Sequence, residues 1–263
     1  MTGARRIKRP KYPPREIPLH LNTEESEPAP DLIRGRECEP MNHIKAIVFD
    51  FDGLILDTET TDYQAWQSLY RKHGSELPLS TWLPSVGNTT IEFNFDQEIA
   101  ELTGNQIDRI EVRKQQKTIH LDMLEGVDPM PGVEDYLCAA ERLGIRVGVA
   151  SGSRRWWVVE RLDQIGLLDR FETIVCRDDV GERAKPDPAA YVTAVSNLGV
   201  TADQAFAFED SLTGVAAAKS AGLYCIAVPG PMTKNQSFDD ADMRLESLTD
   251  MPLPELLVTL ANP

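Results

Sequence analysis

The sequence predicts an α/β fold: a doubly wound, mostly parallel sheet with a helical domain inserted after its first strand. Three observations carry this. Short β-rich runs occupy residues 45–49, 145–150, 173–176, 205–208 and 223–228, and helical patterns near 132–143, 154–165, 188–198 and 213–221 lie between the later ones. Strands separated by helices build a parallel sheet covered on both faces. Gly144, Gly166, Gly199 and Gly222 follow these patterns, as expected where helices stop. Finally, residues 60–125 contain no convincing strand and read as helices at about 61–73, 90–103 and 106–124. That stretch is too long for a simple crossover. The expected organisation is a core of 41–57 and 129–263, a helical cap of 58–128, and an N-terminal extension of 1–40.

The first strand ends unusually. An apolar run from Ala46 to Phe49 leads into Asp50-Phe51-Asp52-Gly53 and then Asp57-Thr58-Glu59. Residues i and i+2 of a strand face the same side, roughly 7 Å apart, so Asp50 and Asp52 are directed at one spot. That spot lies past the carboxyl end of the strand, where open α/β sheets put their active sites. Taken alone, the two acids could equally cap the next turn. The second strand ends in Ser151-Gly152-Ser153 at the start of a helix. Hydroxyls and free N–H groups there make an anion site, although Ser153 by itself reads as an N-cap. Lys185-Pro186-Asp187-Pro188 follows the third strand. Pro186 pushes Lys185 into an extended conformation off the helix, and Pro188 suits the first helical position. The fourth strand ends in Phe208-Glu209-Asp210-Ser211.

These ends bring up to four carboxylates, Asp50, Asp52, Glu209 and Asp210, to one locus. Like charges ~4 Å apart repel by about 4 kcal/mol per pair at an effective dielectric of ~20, so the cluster calls for a cation. Oxygen-only ligands suit Mg²⁺, which also bridges to phosphate. A nucleophilic carboxylate, a second carboxyl for proton transfer, a hydroxyl, a lysine and a metal together assemble phosphoryl transfer through an aspartyl-phosphate.

Composition narrows the classes. The 263 residues are 41% hydrophobic and 26% charged, as in an ordinary globular protein. The net charge of −15 disfavours nucleic acid and anionic membranes. It also means that a phosphate site must supply its own local positive charge. No run approaches the ~20 apolar residues of a membrane span. Cys38, Cys138, Cys176 and Cys225 are far apart and form no metal-binding pair, consistent with reduced thiols in a cytoplasmic protein. Residues 1–40 hold seven of the 18 prolines, and the first 15 residues carry six Lys or Arg and no acid. Such a stretch cannot bury enough surface to fold.

The four motifs, in this order and at these strand ends, resemble the haloacid dehalogenase superfamily over residues 44–250. The likeness is closest to the subgroup containing β-phosphoglucomutase and phosphoglycolate phosphatase. It implies a Rossmann-like core with a helical cap and Mg²⁺-dependent chemistry on a small phosphorylated metabolite, with a monomer expected. By the resemblance Asp50 is the nucleophile and Asp52 the general acid/base. Ser151, Gly152 and Lys185 hold the phosphoryl group. Asp50, the backbone carbonyl of Asp52, Glu209 and Asp210 bind the metal, and Asp57 and Thr58 lie at the hinge into the cap.

Hydrolysis of a sugar or polyol phosphate is the leading expectation, because a lid over a buried site excludes polymers. A phosphosugar mutase resembling β-phosphoglucomutase is the alternative. Those mutases carry a histidine 12 residues after the nucleophile, and Asp62 stands there in this chain. Asp52 argues against a dehalogenase, which lacks the second Asp. The cap and the intact acid/base argue against a receiver-like signalling domain. Elsewhere, Arg154 and Arg155, and likewise Arg113, Lys114 and Lys117, read as solvated helix faces. Trp156 and Trp157 read as packing, and His73 and His120 have no motif context. Gly87-Asn88-Thr89-Thr90 is either a loop that closes over the substrate or a helix N-cap.

Overall fold

The computed structural model describes residues 43–87, 94–104 and 106–261. The expected extension 1–40, including Cys38, lies outside the described residues, as do Asn88, Thr89 and Thr90. β1 (Ala46–Phe49) leads into α1 (Thr58–Lys72), α2 (Leu79–Trp82), α3 (Phe95–Leu102) and α4 (Arg109–Met123). The chain then alternates through α5 (Val133–Leu143), β2 (Arg146–Ala150), α6 (Arg155–Gln164), β3 (Thr173–Val175), α7 (Ala189–Asn197) and β4 (Ala205–Glu209). It ends with α8 (Leu212–Ser220), β5 (Tyr224–Ala227), β6 (Met243–Arg244) and α9 (Leu253–Leu260). The strands pair in parallel in the order β3-β2-β1-β4-β5-β6. From β1 the sheet grows to one side through β2 and β3, then restarts at β4 on the other. This reversal puts a topological switch point at the carboxyl end of β1, between β2 and β4.

Side-chain alternation divides the core. Ile47, Phe49, Phe206, Phe208 and Ile226 face one layer, where they meet Val133, Tyr136 and Leu137 of α5, Val158 and Leu162 of α6, and Leu253 and Leu256 of α9. Ala46, Val48, Ala205, Ala207, Cys225 and Ala227 face the other, against Ala190, Tyr191 and Ala194 of α7 and Val215, Ala217 and Ala218 of α8. Large rings on one face and small residues on the other let the second helix layer approach closely. Gly148 serves the same end, since a Cβ there would lie 3.2 Å from Leu198 Cδ1 at the end of α7, besides meeting Thr173 Cγ2 of β3 at 2.8 Å.

β6 and α9 were not among the elements expected. A two-residue strand is too short to show alternation and owes its conformation to pairing with β5. α9 is eight residues long and carries Pro254 in its first turn, so helical periodicity has little length in which to emerge.

The helices inserted after β1 pack around their own apolar cluster, which includes Trp66, Leu69, Trp82, Phe95, Ile99 and Val112. Arg113 does more than face solvent: with Arg109 it pairs with Asp96, whose side chain is buried. The chain leaving and the chain returning are tied together, because the Met130 N–H donates to the Ile55 carbonyl at 2.8 Å. Among the described residues no helix is long and apolar enough to cross a membrane. Cys138, Cys176 and Cys225 are free thiols.

Candidate active site

Every strand-end motif converges on the switch point, and register explains why. Phe49 lies opposite Val149 on one side and Phe208 on the other. The next residue of β1, Asp50, therefore falls level with the end of β2 and with Glu209, and its N–H donates to the Phe208 carbonyl at 3.0 Å. Gly53 then turns the chain with φ +80°, and a Cβ there would lie 2.1 Å from Asp210 Oδ2. Glycine at this position thus satisfies both the turn and the close approach of a carboxylate.

A cavity of about 110 Å³ opens here. Asp50, Asp52, Gly152, Lys185 and Asp210 line it, together with Glu59, Ser85, Gly87, Ser153 and Ser211. Two expected site residues sit behind this surface. Ser151 is fully buried, and its Oγ accepts the Ser153 N–H at 3.0 Å. Glu209 is also fully buried. Its carboxylate accepts from Lys185, from the Tyr191 hydroxyl at 2.6 Å, and from the N–H and hydroxyl of Ser211. Gly214 leaves the space that this carboxylate fills.

Lys185 is the electrostatic centre. Its Nζ lies 2.7 Å from Asp50 Oδ1 and 2.5 Å from Glu209 Oε1. Burial by itself would push the ammonium down, but the charges of Asp50 and Glu209 outweigh it and hold Lys185 above its ordinary range. Burial and the Glu209 charge raise Asp50 to about 7, with Lys185 opposing them. Asp210 is pushed well above the usual carboxylate range by burial and by the Asp50 and Glu209 charges. One lysine does not neutralise this set. Carboxylate oxygens of Asp50, Glu209 and Asp210 lie within 4.8 Å of one another. A buried all-oxygen cluster with surplus negative charge fits a hard divalent cation such as Mg²⁺.

Asp52 is held differently. Its Oδ1 accepts from the Thr58 hydroxyl at 2.8 Å and from the Trp157 indole N–H at 2.9 Å. Its Oδ2 accepts from the Ser153 hydroxyl at 2.6 Å. Ser153 is therefore not the helix cap that its position suggested: Arg154 takes that position, without a side-chain cap bond. Trp157 has a polar task beyond packing, and one signal pointed to it. It stands four residues after Ser153, so a helix starting at the Ser-Gly-Ser turn places both on one face. Arg154 and Arg155 pair with Glu182 and Asp179 and do not line the cavity.

Asp62 is partly buried outside the cavity lining, where the Gln116 amide donates to it and His120 Nδ1 lies 3.8 Å away. Burial, then the Asp52 charge, raises its carboxyl to about 7. The unfolded chain ionises at about 4, so ionisation favours the unfolded state, and stability falls as pH rises from ~4 through ~7. Asp62→Asn keeps the acceptor and removes the charge. Melting temperatures are expected to favour the variant at pH 8 and to converge near pH 4. A gap of equal size at both would show that the carboxyl is not held protonated by the fold.

The chain is similar to known proteins over most of its length. The family model described as haloacid dehalogenase-like hydrolase matches residues 47–228. The putative phosphatase YhcW of Bacillus subtilis is 45% identical over 214 residues, covering 81% of this chain and 96% of that protein. Hexitol phosphatase B of Escherichia coli is 30% identical over 216 residues, covering 81% and 97%. Among solved structures, CbbY from Rhodobacter sphaeroides in complex with phosphate superposes with a TM-score of 0.63 at 28% identity, covering 79% of this chain and 96% of that one.

Proposed function

Because the chain belongs to the haloacid dehalogenase-like hydrolases, we propose that it is a Mg²⁺-dependent phosphatase that hydrolyses a small sugar or polyol phosphate through an aspartyl-phosphate on Asp50. The observation that carries this reading is the Asp50–Lys185 pair in a cavity shared with Asp52 and Asp210. In the first step an Asp50 oxygen attacks phosphorus while the bond to the leaving oxygen breaks, and Asp52 gives that oxygen a proton. In the second, Asp52 takes a proton from water as water attacks the phosphorus, and Asp50 is released with phosphate. Lys185 and the Gly152 amide, backed by Ser151, hold the equatorial oxygens. Asp50, the Asp52 carbonyl, Glu209 and Asp210 would hold Mg²⁺. When bound, Mg²⁺ offsets phosphoryl charge and favours ionised Asp50.

Charge supports the substrate class. Among the described residues lining the cavity, Lys185 is the only cation, and the phosphoryl group occupies it. Glu59 enters from the first turn of α1, and its carboxylate makes no hydrogen bond among the described residues. Burial, then the charges of Asp52 and Asp62, hold the Glu59 carboxyl well above its ordinary range, so a leaving group with a second phosphate or a carboxylate would add charge to an acid cluster with no further cation among the described lining residues. A neutral polyol would give Glu59 hydroxyl donors. The name of hexitol phosphatase B and the resemblance to β-phosphoglucomutase both lie within this class. Asp62 stands where the mutases have their histidine, which favours hydrolysis over isomerisation. The test is phosphate release from a panel of sugar, polyol and carboxylate-bearing phosphates, with Mg²⁺ and with chelator, scored against isomerised product. Release from phosphoglycolate as fast as from the best polyol phosphate would overturn the substrate class. Net isomerisation would favour the mutase, and full activity in chelator would remove Mg²⁺.

We also propose that residues 58–128 act as a lid. The contact that supports it is Gly87, whose carbonyl accepts the Thr213 hydroxyl at the start of α8. A Cβ at Gly87 would sit 2.6 Å from Ser211 Cβ, at φ +65°. Gly87→Ala is expected to lower kcat/KM by roughly tenfold or more through imperfect closure, and its left-handed backbone is expected to cost about 1–2 kcal/mol of stability as well. Unaltered kinetics would show that this contact does not gate the site.

A further inference from the structure

We propose that Trp157 is a positioning residue that decides which oxygen of Asp52 exchanges the proton with the substrate. The inference rests on the reading of Asp52 as general acid/base given above. A carboxylate oxygen offers two lone pairs. At Oδ1 both are taken, by the Thr58 hydroxyl at 2.8 Å and the Trp157 indole at 2.9 Å. At Oδ2 only the Ser153 hydroxyl donates, at 2.6 Å, so one lone pair remains. The three donors are not equivalent. A hydroxyl rotates and accepts as readily as it donates, whereas an indole N–H only donates. Trp157 therefore cannot accept a proton carried on Oδ1, and its donated N–H favours the unprotonated oxygen there. The carboxyl proton belongs on Oδ2, which Ser153, itself a cavity-lining residue, shares with the reacting centre.

The surroundings of Trp157 fit such a role. The ring packs against the His120 ring of α4 at 5.3 Å and beneath the Arg161 guanidinium at 5.4 Å. His120 Nε2 in turn contacts the Thr58 carbonyl at 3.2 Å and the Thr61 hydroxyl at 3.1 Å. The two donors to Oδ1 are thus linked through one cap residue: Thr58 opens α1, and His120 of α4 touches both the Thr58 backbone and the Trp157 ring. Cap and core jointly fix the orientation of the Asp52 carboxyl. Without the indole, Oδ1 has a free lone pair, the carboxyl can protonate on either oxygen, and a fraction of enzyme holds the proton away from the leaving group.

The experiment compares two leaving groups in single turnover. An alkyl phosphate such as a hexitol phosphate must receive a proton as its P–O bond breaks, and p-nitrophenyl phosphate leaves as a stable phenolate without one. Trp157→Phe keeps an aromatic ring and removes the N–H. Replacing Trp157 by 3-benzothienylalanine, with sulfur in place of the N–H, keeps the whole shape and covers the case in which the phenylalanine variant folds poorly. The expected result in both is a loss of roughly tenfold in hexitol release, a part of the ~10²–10⁴ that general acid catalysis supplies, with nitrophenolate release within about twofold of wild type. Equal losses on both substrates, or none on either, would overturn the proposal. Asp52→Asn in the same assay separates the two levels. If it loses alkyl turnover while the Trp157 variants do not, the positioning role alone fails. If it retains alkyl turnover, the general acid/base reading fails with it.

Discussion

Asp50→Asn is expected to abolish catalysis and stabilise the fold in one substitution. An amide oxygen is a poor nucleophile, and the covalent step is lost with the carboxylate. The fall in kcat should be roughly a thousandfold or more, as for other residues that form the bond. The stability change follows from the same geometry. Asp50 is buried beside Glu209 and Asp210, and burial with the Glu209 charge raises its carboxyl to about 7. The carboxylate form is therefore costly in the folded chain and free in the unfolded one, so stability declines as pH rises toward 7. Asparagine removes that cost and keeps an oxygen for Lys185. A higher melting temperature at pH 8 than wild type, a gap that closes in acid, and no phosphorylated enzyme by mass spectrometry are the expected set. Retention of more than about a hundredth of kcat would assign the nucleophile elsewhere.

The sequence was informative where chemistry forces unusual residues into an apolar pattern. Asp50, Asp52, Glu209 and Asp210 stand at the ends of buried strands, where packing gives acids no reason to be, and the parallel order of β1, β2 and β4 brings them to one locus, with Asp50, Asp52 and Asp210 lining the cavity and Glu209 behind it. The same logic found Lys185. What sequence could not separate was which members of a motif face the cavity and which stand behind it. Ser151 and Ser153 are two residues apart in one turn, yet Ser151 is sealed beneath the surface while Ser153 reaches Asp52. That division depends on how the turn leaves β2, which local propensity does not encode. Trp157 and Glu59 were missed for a related reason. A tryptophan in α6 and a glutamate in the first turn of α1 have ordinary structural explanations, and only tertiary placement brings Trp157 onto Asp52 and Glu59 into the cavity.

Lys185→Met should have the second large effect, and its metal dependence makes it the more searching test. The ammonium is the one positive charge the described chain supplies to Asp50 and Glu209, at 2.7 and 2.5 Å, and it is 7% exposed. Removing one partner of a buried pair costs about 3–5 kcal/mol, because the other is left desolvated and uncompensated. Here two carboxylates are left, with Asp210 beside them. The loss should grow with pH, since proton uptake by Asp50 and Asp210 relieves the repulsion in acid. Activity should fall by roughly 10²–10³ through loss of phosphoryl stabilisation. Stability should respond to Mg²⁺ in a way that activity does not. A cation bound by Asp50, Glu209 and Asp210 supplies part of the missing charge, so Mg²⁺ should raise the melting temperature of Lys185→Met by more than it raises that of wild type. It cannot restore the donor that Lys185 offers to the phosphoryl group, so kcat stays low. Equal Mg²⁺ shifts in both proteins would mean that the lysine and the metal do not share the same carboxylates.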